Sequence, residues 1–142
     1  MSDAALDTIE IQQTISRYHE GASLYDFDAI AACFTPDAVW EVPSMKLRFE
    51  GRDLIREQMQ KLVEAIEYLV QINAPAIIDV EGDSATARSL IRECAKFREG
   101  GVRMDVVGQF NDRLQRTAEG WKFTQRTFTI IGTQTTTEQR NG

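Results

Sequence analysis

Histidine is almost absent from this chain of 142 residues, which holds one, His19. Cysteine is nearly as rare, with Cys33 and Cys94 alone. One histidine and two distant cysteines cannot build a common zinc site. Two cysteines are also too few for a disulfide scaffold, so free thiols in a reducing compartment are expected. Basic charge is in deficit: 16 Lys and Arg face 22 Asp and Glu, a net charge of −6. Nucleic acid and anionic membrane surfaces both need a basic face, so neither is an expected partner. There is no apolar run long enough to span a bilayer and no basic-then-apolar leader, which makes a cytoplasmic location the expectation. A Gly-rich phosphate loop and a nucleophile-elbow motif are likewise missing. No cofactor and no metal are expected, although a carboxylate-only metal site stays open.

What is present fits an ordinary soluble globular protein, 42% hydrophobic and 27% charged. The length suits a single domain over 1–142 that buries a core without staples. The polar tail, 133–142, is expected to be flexible, as are residues 1–5. Leu6 to Tyr25 reads as a helix, because Ile11, Ile15, Tyr18, Ala22 and Tyr25 form one stripe at helical spacing. A short helix from about Asp28 to Phe34 follows, capped by Asp26 or Asp28. Ala38 to Val42 reads as a short strand. A third helix is expected over about Asp53–Glu67, with Ile55, Met59, Leu62 and Ile66 on its apolar face. At about Asn73 the period becomes alternating. Four long strands follow, Ala76–Val80, Ala85–Phe97, Val102–Gln115 and Trp121–Ile131, joined by short Gly-bearing hairpin links. Helices first and strands after is an α+β order, with the helices laid on a curved antiparallel sheet and room for a cavity between.

Within the third long strand Val102, Met104, Val106, Gly108, Phe110, Asp112 and Leu114 share one face. That face is apolar except for Asp112, so Asp112 should point inward. A buried carboxylate must find a partner or take up a proton. Alternatively, Asp112 turns to water near the strand end or accepts a structural hydrogen bond. On the preceding strand the less charged face carries Glu93, which could serve there as acid or base. If the parity is reversed, Arg88 or Arg92 faces inward as an anion clamp. His19 is the one side chain poised to exchange protons near neutral pH. It either faces the edge of a pocket or lies solvated beside Glu20. On the last strand Gln125, Thr127 and Thr129 share a side with Trp121, Phe123 and Ile131 and would supply neutral hydrogen-bonding groups. Trp40, Met104 and Phe110 are natural apolar walls.

The order of elements resembles the SnoaL-like branch of the nuclear transport factor two-like superfamily. The carrying segments are Arg17-Tyr18, Tyr25-Asp26-Phe27-Asp28, Ala32 to Pro43, Phe49-Glu50-Gly51-Arg52, Val80 to Ala85, and Gly120-Trp121-Lys122-Phe123 ahead of Arg126. The resemblance implies a cone-shaped α+β barrel, a homodimer through the sheet, and an inner pocket for a hydrophobic small molecule. Against the ketosteroid isomerase pattern, Tyr18 matches the oxyanion-binding tyrosine and Asp112 the second donor of that enzyme, an acid kept protonated by its apolar site. The base position of that pattern is Val42. Against the scytalone dehydratase pattern, the helix-one aspartate falls at Ser23, one histidine near Gln71 and the other near Cys94 or Ala95. The expected catalytic set is therefore Tyr18, Asp112, Glu93 and His19, with Trp40, Gln71, Met104, Phe110 and Gln125 lining the ligand. Two functions stay open. One is a cofactor-free isomerase, dehydratase or cyclase moving a proton on a hydrophobic carbonyl or hydroxyl compound. The other is a non-catalytic ligand-binding or protein-interaction module.

Overall fold

The computed structural model describes residues 3–138. Helix α1 spans Asp3–Leu24 and α2 spans Phe27–Ala31. Strand β1 (Phe34–Val42) follows, then a single 3-10 turn, β2 (Leu47–Glu50) and helix α3 (Arg52–Leu62). The remaining strands are β3 (Ile66–Asn73), β4 (Ile77–Glu81), β5 (Ser84–Phe97), β6 (Val102–Thr117) and β7 (Gly120–Thr137). The helices thus precede the long strands and pack on a mixed, mostly antiparallel curved sheet, the expected α+β architecture. The sheet runs β2-β1-β7-β6-β5-β3, with β4 also paired to β5. Its one parallel pairing joins β1 to β7.

Ile11, Ile15 and Tyr18 lie on one stripe of α1 and are all buried, each worth roughly 1.5–3 kcal/mol as a large apolar side chain removed from water. Two polar anchors hold that helix. Asp7 near its start accepts from Arg116 Nη1 and Nη2 at 2.7 and 2.9 Å and from Trp121 Nε1 at 3.2 Å. The Thr14 hydroxyl donates to the Trp121 carbonyl at 2.9 Å. Helix α2 starts at Asp26, whose carboxylate accepts from the Ala29 N–H.

Several boundaries depart from the periodicity: α2 ends at Ala31, short of the expected Phe34, and β1 starts at Phe34, ahead of the expected Ala38. The chain leaves α3 at Leu62, and Ile66–Asn73 pairs with β5 as a strand. Ile66 extends the helical stripe by chance, and the alternation of Tyr68, Val70 and Ile72 is inverted, since their apolar side chains lie on the exposed face. The segment Thr133–Thr137, expected to be part of a flexible tail, is the end of β7 and pairs with Val102–Val106. The last four tail residues, 139–142, and the first two residues lie outside the described part of the chain. Leu47–Glu50 forms a strand absent from the sequence reading, antiparallel to the second half of β1.

The strand that matters most for the interior is β7. Counting back from the β6–β7 turn, Thr117 pairs with Gly120 and Leu114 with Phe123. On the far side of a register shift, Arg113 pairs with Gln125, leaving Thr124 as an extra residue. A bulge of one residue exchanges the two faces of a strand. Trp121 and Phe123 face inward before it, and Arg126 and Phe128 face inward after it. Gln125 is thereby turned out of the barrel, where its side-chain amide donates to Glu41 at 3.1 Å and to Thr127. Gln125, expected to line the ligand, stands on the side away from Arg126 and Phe128 and lines an open pocket there with Thr86, Arg88 and Asn111.

Candidate functional site

The interior polar groups come from five elements that converge on the concave face of the sheet. Strand β6 keeps the expected parity, so Asp112 points inward and is 3% exposed. Directly across the ladder stands Arg126, fully buried. Its Nε and Nη2 donate to the two Asp112 oxygens at 2.7 and 3.1 Å. Burial pushes the Asp112 carboxyl up, and the charge and hydrogen bonds of Arg126 pull it back. Both oxygens accept, so the expected neutral, donating Asp112 gives way to one half of a buried ion pair.

The guanidinium of Arg126 is caged by rings. Its carbon lies 3.8 Å from the Phe110 ring centroid and 4.3 Å from those of Tyr18 and Phe123. Such contacts stabilise a desolvated cation by roughly 2 kcal/mol. The third nitrogen, Nη1, is buried and has no hydrogen-bond partner among the described residues. Gly108 leaves room for this cage, since a Cβ there would overlap the Phe128 ring, and Phe128 in turn tilts onto Phe110.

Tyr18 and His19 are consecutive on α1, yet both are 2% exposed, because the curved sheet wraps more than one face of the helix. The Tyr18 hydroxyl accepts from Trp40 Nε1 at 3.0 Å, which leaves its own proton free to donate. Burial pushes the phenol up to about 12, with Arg126 pulling the other way, so it stays protonated. Trp40 is stacked on Phe49 across the β1–β2 ladder. His19 Nδ1 lies 2.7 Å from Gln71 Oε1 on β3. The Gln71 side-chain nitrogen lies 2.9 Å from Glu93 Oε1 on β5. A carboxylate accepts from the amide, the amide oxygen accepts from the ring, and Nδ1 therefore carries the imidazole proton. His19 Nε2 is bare, buried and without a partner among the described residues. Burial first, and then the nearby charge of Arg126, pull the imidazole down to about 3. Burial pushes Glu93 up, while the Gln71 hydrogen bond pulls it back.

The parity of β5 is the one that points Glu93 inward. Ala85, Ala87, Ser89 and Ile91 are buried while Arg88 and Arg92 are exposed, so neither arginine is an interior anion clamp. Arg92 instead pairs with Asp105 on the outer face. Ser89 adds a buried hydroxyl that lacks a partner among the described residues. Ser23 Oγ accepts from the Gln71 backbone N–H and donates to the His19 carbonyl, both at 2.9 Å. That tie sets the register of Gln71 against His19. Of the remaining expected lining residues, Phe110 is buried beside His19 and Tyr18, and Met104 is half-buried against the core. Val42 is buried apolar core and carries no proton-transfer group. Among the described residues no three His, Cys, Asp or Glu side chains converge on a metal-sized space.

Sequence reasoning brought Tyr18, His19, Glu93 and Asp112 to the interior and missed Arg126 and Ser89 as members of the set. A signal for Arg126 existed: a buried aspartate needs a cation, and the neighbouring strand offers one close to the required level.

A model of the SnoaL-like domain family matches residues 3–127. The chain belongs to that family. Solved structures share the fold at low identity. An aromatic ring hydroxylase candidate from Novosphingobium aromaticivorans is 24% identical with a TM-score of 0.86, covering 93% of this chain and 94% of that one. A scytalone dehydratase candidate from the same organism is 18% identical with a TM-score of 0.84, covering 98% and 92%. A type 2 hexachlorocyclohexane dehydrochlorinase is 13% identical with a TM-score of 0.88, covering 99% and 95%. No curated protein matches this chain. No helix among the described residues is long and apolar enough to cross a membrane.

Proposed function

We propose that this SnoaL-like protein is a cofactor-free isomerase or lyase that moves a proton on a small, mostly apolar carbonyl or hydroxyl compound. One observation carries the reading. Three buried side-chain polar atoms have no partner among the described residues: His19 Nε2, Arg126 Nη1 and Ser89 Oγ. Leaving a buried donor or acceptor unsatisfied costs about 1–3 kcal/mol each, so a fold that keeps three of them has a use for them. They differ in kind. His19 Nε2 accepts a proton, Arg126 Nη1 donates to a negative or partly negative atom, and Ser89 can do either. The free Tyr18 proton adds a second donor. A base on one side and fixed donors on the other suit abstraction of a proton with charge developing on an oxygen or a leaving group. Glu93, singled out from sequence as a base, is occupied with Gln71 instead. Asp112 acts by holding Arg126 in place.

The test begins with a thermal-shift screen over steroid-like, polyketide-like and aromatic ligands, followed by product analysis of each binder. His19→Asn keeps an amide donor toward Gln71 and removes the basic nitrogen. It is expected to lower turnover by about 10²–10⁴-fold, the range of a general base, while the variant still binds the ligand. Turnover at the wild-type rate would remove His19 from the chemistry.

A second reading, a binding module without catalysis, is favoured by one observation. An imidazole held near 3 is a weak base in the ligand-free protein. Binders that are never converted, by wild type as by His19→Asn, would decide for it.

The outer face supports a further proposal, that two copies of the chain pair through the sheet. Ile72, Leu90, Val107 and Ile131 are 66%, 54%, 41% and 65% exposed and occupy neighbouring rows of β3, β5, β6 and β7. Patches of this kind mark protein interfaces, and a self-complementary two-fold pairing is the commonest use. Sedimentation at micromolar concentration is expected to give a dimer that Leu90→Lys converts to a monomer. A clean wild-type monomer would refute it.

A further inference from the structure

Which nitrogen of His19 stays bare is decided outside the imidazole. The neutral ring has one N–H, and either nitrogen can hold it. The choice is made by the end of the Gln71 amide that faces it. Here that end is the oxygen, 2.7 Å from Nδ1. The amide is held that way round by its other contact, the nitrogen placed 2.9 Å from Glu93 Oε1. An ionised carboxylate only accepts, so it selects the amide nitrogen, which sends the amide oxygen to His19.

We propose that Glu93 is a positioning residue that sets the tautomer of His19 through Gln71, and that a proton on Glu93 reverses the chain of hydrogen bonds and turns His19 Nε2 from proton acceptor into proton donor. The proposal rests on the reading that Nε2 faces the substrate. The protons balance. Glu93 takes up one proton from solvent, and its O–H donates to Gln71 Oε1. The amide turns over, and its nitrogen donates to His19 Nδ1. The ring gives up its Nδ1 proton and gains one at Nε2 by exchange with water, so it stays neutral and the net uptake is one proton. Gln71 is anchored through its backbone N–H on Ser23, which leaves its side-chain amide free to turn over.

The groups around this chain of hydrogen bonds are few. On α1 and just beyond it, Tyr18 and Tyr25 feel the Glu93 charge. Arg98 acts on Tyr25, and Arg126 of β7 acts on His19. Opposite Glu93 on β6 stands Val106, which carries no charge. Glu93 is thus the acid whose protonation the imidazole reads. Burial raises it, which moves the event toward the pH range where the protein is folded. His19 itself stays uncharged until about 3, so a tautomer change above that pH is not confused with protonation of the ring.

Since the protein has one histidine, its two ring nitrogens give unambiguous signals in the intact chain labelled with ¹⁵N at histidine. At pH 8 the wild type is expected to show a protonated Nδ1 and a bare Nε2. Glu93→Gln presents an amide that can donate or accept, and is expected to bring in the Nε2–H form beside the original. Wild type titrated from pH 8 to pH 4 is expected to shift the same way, with half-change at the Glu93 transition followed by its side-chain ¹³C signal. An Nε2–H form in the wild type at pH 8, or an unchanged single tautomer in Glu93→Gln, overturns the proposal. If Glu93→Gln does not fold, the wild-type titration decides, and a tautomer unmoved across the Glu93 transition overturns it. The measurement uses no ligand. A failed search for turnover therefore leaves it standing, and a lost tautomer preference in an active enzyme strikes only the role of Glu93.

Discussion

Asp112→Leu is expected to destabilise the protein by about 3–5 kcal/mol, the usual cost of stripping one partner from a buried ion pair. The side chains of Asp112 and Arg126 are both fully buried, and the guanidinium left behind would have rings on three sides and no anion. Asp112→Asn keeps nearly the same volume but also leaves that charge uncompensated, so it is expected to fall between wild type and Asp112→Leu. The double variant Asp112→Leu with Arg126→Met removes both charges and fills the space with apolar groups. Replacements of this kind are often neutral or stabilising, so it should recover most of the loss. Urea unfolding followed by tryptophan fluorescence reads all three, and an unchanged m-value keeps the comparison two-state. A single variant within about 1 kcal/mol of wild type would mean that the pair is not formed in solution. Recovery of stability in the double variant without recovery of ligand binding would separate the structural use of Arg126 from its use of Nη1.

The second large effect is in acid. The imidazole of His19 sits at about 3 in the fold against an ordinary 6.5, and it is 2% exposed. The unfolded chain therefore takes up the proton first as the pH falls. Stability from a neutral buried histidine is complete above 6.5 and is lost progressively between 6.5 and 3. Between pH 7 and pH 4 the loss is on the order of 3 kcal/mol, at about 1.4 kcal/mol per unit. Glu93 acts with the opposite sign. Its carboxyl is raised by burial, so the stability it contributes is present below its ordinary value and is lost as the pH rises through the raised one. Comparing wild type with His19→Asn across pH 4 to 8 isolates the histidine contribution. The wild type should lose stability relative to the variant as the pH falls, and parallel curves would show that His19 is not buried neutral.

Much of this arrangement is legible in the sequence. The stripe of Ile11, Ile15 and Tyr18 specifies α1, and strict alternation specifies β6 together with the inward aspartate. Alternation also favours the inward face of Glu93, although the family comparison leaves it open. The partners are harder to read. Gln71 lies on a strand that alternates clearly, but its apolar side, Tyr68, Val70 and Ile72, is the exposed one, so the pattern turns Gln71 outward and conceals its tie to His19. Arg126 is hidden by the bulge at Thr124, which no glycine or proline marks. Strict counting from the turn puts Gln125 opposite Asp112, and a carboxyl facing an amide in an apolar setting points to a neutral acid. The chemistry changes from a protonated acid to an ion pair because the ladder carries one residue more than the alternation implies.

That extra residue reverses the phase of β7 as far as a second shift, where Gly108 pairs with Ile130 and Val107 with Gly132 and Ile131 is left over. Before Thr124 the odd-numbered residues Trp121 and Phe123 belong to the core, and after it the even-numbered Arg126 and Phe128 do. Sequence comparison within a fold usually matches positions one to one. Against a relative whose last strand lacks the bulge, an ungapped match would pair interior side chains with exterior ones from Gln125 to Ile130, up to the second shift. The guanidinium would then be scored as a surface charge and the outward glutamine as a pocket residue. For this chain the identity of the interior depends on a count of residues as well as on their types, and single-residue insertions are a route by which such a barrel can exchange its whole inner lining at once.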